Sequence, residues 1–441
     1  MPDQPMSPEP GAQIQWSLAQ RILFRLSFSY IVLFTFTYLF LYNNTLPRFL
    51  SYIPFAEVLA EHYWNLSGFI VNKVGAAVFH ADTSVPPNGS GDTTYNYVQV
   101  FCFLLAALIV TAIWTLLDRK RANYVRLHEW LRVGVRFVLA FWMLEYGAVK
   151  VIPVQVSSPS LDRLLQPFGD ASPEGMFWTF MGVSMAYTIF SGLAEMVGGL
   201  LLVARRTTLL GALVCIAVLT NVVLLNFCYD VPVKLFSSHL LGLAVFLILP
   251  DLGRLANILV FNRKVEPAEI RPLFARKGLD RGALVLRSVF LFGFAAFLLA
   301  QSYEIHQRFG SGAPKAQLNG LWNVEEFVLD GQARPPVLTD EARWRRVVFD
   351  GPHRMAVLLG DTRESYHLEL DPGGHTLTLA KRDDPAWKSA LSYQRLDPHL
   401  LAMEGTFGGQ KIQARLRKAE EPRFRLVNHG FHWIIEYPHS H

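Results

Sequence analysis

Apolar blocks about twenty residues long recur through the first three hundred positions, and that recurrence restricts what the chain can fold into. A block of this length spans a hydrocarbon core as a single helix, and lipid admits only helices and closed barrels. The blocks are 22–42, 97–117, 133–153, 176–203, 207–227, 233–250 and 286–303. They predict a membrane all-α helical bundle with about seven transmembrane helices. Only 17% of the 441 residues are charged and 51% are hydrophobic, whereas a soluble chain carries about a quarter charged. The formal net charge of +5 comes from Lys and Arg in the loops between blocks, so no nucleic-acid partner is expected. The lipid bilayer is the expected partner.

Residues 1–20 are polar and read as a disordered N-terminus, and 21–129 as an N-terminal membrane region. Block 22–42 begins with Arg21 and Arg25; it is long for a signal peptide and reads as a retained anchor. Basic loops stay on the cytoplasmic side. A cytoplasmic N-terminus places 118–132, Arg205-Arg206 and 254–287 there together. Loops 43–96, 154–175 and 228–232, and everything after 303, then face outward. Segment 55–80 carries Glu57, Glu61, His62, Asn65, Asn72 and Lys73. It reads as an outer-face helix, lying in the interface or folded over the bundle. Residues 251–310 supply a cytoplasmic loop and the last transmembrane helix.

After residue 311 the hydrophobic period falls to two, which is the period of strands. Eight or nine short runs, from 321–329 to 424–427, are separated by turns such as Asp371-Pro-Gly-Gly and Gly408-Gly409. Region 311–441 therefore predicts an all-β up-and-down barrel. Its opening Gly320-Leu-Trp322 resembles the start of lipocalin-like barrels, in which the Trp plugs one end, so Trp322 is expected to be structural.

Cys102, Cys215 and Cys228 form no C-x-x-C pair, and a dithiol mechanism is not expected. They read as small buried hydrophobes. His429, His432, His439 and His441 read as solvated, and no metal site is expected.

Polar residues within apolar blocks are costly and mark functional sites. Glu145, Tyr146 and Lys150, Asn221 and Asn226, Asp230, and Lys234 with His239 fall at similar depth toward the outer side. Asp230 with Pro232 reads as a helix start, with Asp230 as the cap. Lys234 would then sit in the first turn, where the helix dipole disfavours a cation. Asp230, Glu145 or a bound anion could offset it. His239 can exchange a proton near neutral pH. Lys150 and Lys234 could equally snorkel to the interface, and Asn221 could brace helices or contact a ligand. Glu195 lies deeper, on a helix face with Ser191 and Gly199 and beside Gly198, where small residues permit close helix contact. It reads either as a site residue or as a structural pair member.

The pattern Arg136…Glu145-Tyr-Gly-Ala-Val-Lys150, followed by Ser191-Gly-Leu-Ala-Glu195-Met-Val-Gly-Gly-Leu and a basic pair, resembles the DoxX family of small bacterial membrane proteins. The resemblance covers about 130–250. It implies a DoxX-like four-helix core, a bacterial inner-membrane location with the C-terminal domain periplasmic, and a link to quinone chemistry. It carries Tyr146, Lys150 and Glu195 over as family positions. Three further spans, an outer helix and a barrel depart from the family pattern.

The leading expectation is a quinone-linked oxidoreductase or redox-accessory subunit with an outward polar pocket. Glu145, Lys150, Asp230, Lys234 and His239 would carry the chemistry, with Tyr146, Glu195, Asn221 and Asn226 binding the quinone or another lipophile. No haem, flavin, nicotinamide or iron–sulfur motif is visible, so electrons would come from the substrate or a periplasmic redox partner protein. The alternative is a non-enzymatic, membrane-anchored protein whose barrel binds a lipophile or a partner protein. A transporter reading lacks an inverted repeat.

Overall fold

The computed structural model describes residues 15–40, 56–84, 90–267, 277–310, 312–313, 317–337, 339–360, 362–381, 384, 386–420 and 424–437. Most of the expected disordered N-terminus, residues 85–89, part of the basic stretch 254–287, and His439 and His441 lie outside the described residues. Positions 18–20 are helical, which shortens the segment expected to lack structure. The chain forms two compact units, Met1–Ala148 with Gly192–Leu298, and Val149–Ser191 with Leu299–His441.

The first unit is helical. Its elements are α1 (Leu18–Phe40), α2 (Ala56–Val74), α3 (Thr94–Leu117) and most of α4 (Val125–Val151). Later in the chain, α7 (Met185–Val203) enters it, followed by α8 (Thr208–Cys228), α9 (Lys234–Ile248) and α10 (Leu252–Leu259). Five helical stretches, 18–39, 94–117, 185–203, 208–228 and 234–259, are long and apolar enough to cross a membrane. The surface of α3 shows why: Leu104, Leu108, Ile109, Ile113 and Leu117 are all exposed. An apolar face of that extent needs a non-aqueous neighbour. The expected third and seventh blocks are also helical, within α4 and α11 (Lys277–Phe309). Within the expected segment 55–80, residues 56–79 are helical, and α2 is fixed to α1 and α3 by polar contacts. Tyr63 shares a hydrogen bond with Thr37 at 2.7 Å, and Gln99 donates to Ser67 at 3.2 Å.

At one end of this unit three arginines hold helix C-termini, whose last carbonyls lack partners within the helix. Fully buried Arg25 of α1 donates to Asp118 O at the end of α3, and to Thr115 Oγ1 and the Tyr124 hydroxyl, at 2.7–3.0 Å. Arg136 of α4 donates to Leu202 O and Val203 O at the end of α7, at 2.9 and 2.7 Å. Arg132 of α4 donates to Leu247 O near the end of α9, at 3.0 Å. Cations near helix C-termini also meet the negative end of the dipole. Residues that read as topology markers in the sequence are therefore also helix caps.

Close contact between α4 and α7 follows from glycine. A Cβ on Gly147 would fall 2.7 Å from Gly192 O, and one on Gly199 would fall 3.1 Å from Ala140 O. The small-residue face expected around Glu195 does pack in this way.

The second unit contains α5 (Leu161–Leu164), α6 (Pro173–Val183), the end of α11, and the strands. The expected single span 176–203 is instead two helices, α6 and α7. Ser184 breaks them: its backbone leaves the helical region (φ −114°, ψ 89°). Its side chain then accepts from Tyr187 N at 3.3 Å, which is how serine opens a new helix.

Strands β1 (Gly320–Leu329), β3 (Trp344–Phe349), β4 (Arg354–Leu359), β5 (Thr362–Asp371), β6 (Thr376–Ala380), β7 (Lys388–Asp397), β8 (Leu400–Phe407) and β9 (Gln410–Lys418) pair in sequence order. The pairing of β1 with β9 closes the ring. The result is a closed eight-stranded antiparallel β-barrel; the two-residue β2 (Gln332–Ala333) extends only β1. The expected strand at 424–427 is a correction: α12 (Arg425–Asn428) is a short helical turn there.

Period two does its work in this barrel: burial alternates residue by residue over 389–393 of β7 and 412–416 of β9. An eight-stranded barrel is just wide enough for side chains to fill. Trp322, Trp344, Phe349, Met355, Leu377 and Leu401 do so, each at most 1% exposed. Trp322 donates its Nε1–H to Leu318 O at 2.8 Å, a structural role as expected.

Candidate functional site

The end of the helical unit away from the three arginines is organised by the start of α9. A helix start offers free backbone N–H groups and partial positive charge. Asp92 meets both: its Oδ2 accepts from Lys234 N at 2.8 Å and its Oδ1 from Leu235 N at 2.9 Å. Gly91 N donates to Pro232 O at 2.8 Å, holding the loop in place. The cap is thus Asp92, from the segment before α3, and not Asp230 as the local sequence predicts. Asp230 instead takes a left-handed conformation, φ 56°. It pairs with the Lys234 ammonium at 2.6 Å, while Asp92 stands 3.7 Å from the same group. Of the three expected anionic partners, Asp230 is therefore present, and Asp92 joins it.

One turn further along α9, His239 is held at both ring nitrogens. Its Nδ1 lies 2.7 Å from Leu235 O and its Nε2 lies 2.6 Å from the Tyr30 hydroxyl on α1. A carbonyl only accepts, so Nδ1 carries the proton in the neutral ring. Nε2 then accepts from Tyr30 O–H. The ring stacks on Phe34, with centroids 4.1 Å apart and planes within 10°. Tyr30, Phe34 and Tyr38 are spaced i, i+4, i+8 on one stripe of α1, and Tyr38 stacks on Phe236. Trp142 and Tyr146 complete this wall from α4: Trp142 meets Phe236 edge-on at 4.7 Å, and Tyr146 stacks on Trp142.

On the other side of Tyr30, a groove of about 440 Å³ opens between α1 and α3. Leu26, Ser27, Tyr30, Tyr97, Val100, Phe101 and Leu104 line it. Its lining is mostly apolar with three hydroxyl-bearing residues, Ser27, Tyr30 and Tyr97, and Tyr30 is hydrogen-bonded to the His239 imidazole.

The other expected residues divide. Buried Asn226 donates to Ser237 Oγ at 2.9 Å and braces α8 against α9. Asn221 is exposed. Five residues along a helix turn it about 140° away from Asn226, so it does not join the cluster as expected. Glu195 is buried, 3% exposed, within electrostatic reach of Tyr146 and Cys215. Glu145, half-buried, also acts electrostatically on Tyr146. Lys150 is buried and belongs to the second compact unit.

Two central residues, Tyr30 and Asp92, do not stand out in the sequence. The aromatic stripe on α1 was the available signal for Tyr30. Asp92 lies just before the capping box that opens α3, where Thr93 and Asn96 satisfy each other's backbone N–H groups, and nothing local links it to α9.

A Bacillus subtilis (strain 168) protein, Uncharacterized protein YwoB, is 30% identical over 150 residues. The chain belongs to the family of YwoB. The shared segment fills 87% of YwoB and 32% of this chain, so most of this chain lies outside it. No family model matches the chain, and no solved structure does.

Proposed function

We propose that this is a multi-pass protein of the bacterial inner membrane, DoxX-like in its core. Its helical unit binds the head group of a quinone-class lipophile in the groove beside Tyr30, and it serves a redox step as oxidoreductase or accessory subunit. The observation that carries this reading is that Tyr30 lines an apolar groove and its hydroxyl lies 2.6 Å from His239 Nε2. A quinone needs an apolar slot for ring and tail, a hydrogen bond at its carbonyl oxygen, and a route for protons. The groove, Tyr30 and His239 are suited to those three tasks.

The pair can work in both directions. With His239 neutral, the Tyr30 oxygen offers a lone pair to a quinol O–H while its own proton points at Nε2. With His239 protonated, Nε2–H donates to the Tyr30 oxygen and frees the tyrosine O–H for a quinone carbonyl. The two states differ by one proton: the quinol O–H gives its proton to the Tyr30 oxygen as Tyr30 gives its own to His239 Nε2, and quinone reduction runs the same relay in reverse. The electrons, two per quinone, pass to or from a periplasmic redox partner protein. Lys234 with Asp92 and Asp230 fixes the start of α9, and so positions His239.

Topology follows the arginine distribution in this proposal. The end holding Arg25, Arg132 and Arg136 faces the cytoplasm, the Asp92 end faces outward, and the barrel is periplasmic. The side chains filling the barrel favour the helical unit over the barrel as the lipophile's site. Mass spectrometry of lipids retained by the full chain in mild detergent tests the proposal. A quinone retained by the wild type and lost in Tyr30→Phe supports it. Equal retention by both, or no quinone in either, contradicts it.

A further inference from the structure

At the arginine end a second cavity of about 420 Å³ opens beside α4 and α10. Arg132, Asp251, Arg254, Asn257, Lys264 and Glu266 contribute its polar lining. The two guanidiniums are only partly used. Arg132 donates to Leu247 O and stands 3.6 Å from Asp251, and Arg254 pairs with Asp251 at 2.8 Å. Both Nε–H groups are buried and have no acceptor. One carboxylate thus serves two guanidiniums, and Lys264 adds a third positive charge against Glu266. Three cations thus line the cavity against two carboxylates, and an additional oxyanion there would balance the remaining positive charge and accept from the terminal guanidinium N–H groups.

The surroundings say where that oxyanion comes from. Helix α10 is strongly two-faced: Arg254 and Asn257 turn to the cavity, while Leu252, Ile258 and Leu259 are exposed. Val260 and Phe261 extend the apolar surface, at 73% and 57% exposed. Asn262, in a left-handed conformation (φ 48°), then turns the chain so that Lys264 to Pro267 close the cavity. Arg263 sits over the Phe261 ring at 5.3 Å. A short helix with an apolar face and a basic flank lies in a membrane interface, and a basic pocket between helices at that level takes a phospholipid head group.

We infer that the Arg132–Arg254–Lys264 cavity binds the phosphate of an anionic phospholipid, with α10 and Phe261 lying in the interface beside it. The phosphate oxygens accept from guanidinium N–H groups that Asp251 alone leaves unserved, and the acyl chains run along Leu252, Ile258 and Leu259. This inference is independent of the quinone proposal; it requires only that the helical unit sits in a bilayer.

The test uses the full chain in detergent and native mass spectrometry with added dioleoyl phosphatidylglycerol, dioleoyl phosphatidylcholine, or inorganic phosphate as competitor. The wild type is expected to hold the anionic lipid about tenfold more tightly than the zwitterionic one, and Arg254→Gln/Lys264→Gln to lose that preference, at roughly a few-fold or more per charge near a membrane surface. Arg132 is left intact because it also caps α9. Equal affinity for the two lipids in the wild type, or an undiminished preference in the double variant, overturns the inference. Displacement of the lipid by inorganic phosphate at matched concentration would reassign the cavity to a soluble anion and so also overturns it. A double variant that no longer folds is replaced by Lys264→Gln alone, for which a partial loss is expected and an unchanged preference counts against the cavity.

Discussion

The two units invert each other. In the barrel the sequence alternates, charge faces outward, and the interior is tryptophan, leucine and methionine. In the helical unit the sequence is more apolar, yet its interior holds Arg25, Arg136, Asn96, Gln99, Asn226 and Glu195, all at most 5% exposed, together with His239. Leucines on its surface stay exposed instead. Each unit hides what its surroundings cannot solvate: water drives apolar side chains into the barrel, and lipid drives polar ones into the bundle. A buried polar group therefore means different things in the two. In the barrel it ties strands together, as Arg343 does by donating to Arg334 O, Trp344 O and Val324 O, each at 3.0 Å. In the bundle it caps a helix, as Arg25 and Arg136 do, or ties one helix to another, as Gln99 and Asn226 do.

The largest effect should come from the interior charge that seals helix ends. Arg25→Met leaves Asp118 O and Thr115 without their donor, and is expected to cost about 3 kcal/mol or more of stability, read as a lower melting temperature in detergent. A change below about 1 kcal/mol would mean that lipid or water serves those carbonyls and that the arginine is not a structural cap.

Barrel packing comes next. Leu401, fully buried, lies in a filled interior, so Leu401→Ala is expected to cost about 2–5 kcal/mol, by tryptophan fluorescence during thermal unfolding. A near-neutral result would point to spare space inside and restore the barrel as a binding site. At the outer helix start, Asp92→Ala should cost about 1–2 kcal/mol, and Asp92→Asn less, because the amide oxygen still caps. Asp230→Ala should matter less than either, since that carboxylate is largely solvent-exposed.

The smallest effect has the opposite sign. Asp350 in the second unit has its carboxyl pushed above the ordinary carboxylate range, first by burial and then by the charge of Asp162, with Arg354 opposing. Its Oδ2 is buried without a partner. A raised folded-state pKa means that stability is fullest when the group is protonated, and is lost as pH rises through that pKa. Asp350→Asn should therefore raise the melting temperature modestly at neutral pH and remove that share of the pH dependence. A lower melting temperature at every pH would show that the carboxylate is needed ionised.

How much was legible follows from the same inversion. Eight strands could be read because one residue in two must face the core, and that rule is local. Apolar blocks gave the helices, but not the break at Ser184, where a capping hydroxyl interrupts a stretch that hydrophobicity alone runs through. His239, Lys234 and Asp230 stood out as polar letters in apolar text, and their mutual placement on neighbouring turns is local too. Tyr30 and Asp92 did not stand out. A tyrosine in an apolar helix looks like any lipid-facing aromatic until its partner helix is known. Asp92 reaches α9 across about 140 residues of chain, Asp92 to Lys234, and no spacing rule connects them. Asn221 shows the converse, a polar residue at the right depth on the wrong face.

The proposed encounter of the Tyr30–His239 pair with a quinone-class head group takes place in the groove between α1 and α3. It is tested most directly by titrating the purified full chain with a short-tailed benzoquinone and following quenching of tryptophan fluorescence, for wild type, Tyr30→Phe and His239→Gln. The account predicts saturable binding by the wild type, about tenfold weaker in Tyr30→Phe through loss of one hydrogen bond at the carbonyl, with both variants melting within a few degrees of wild type. Binding of equal strength in all three proteins would contradict it.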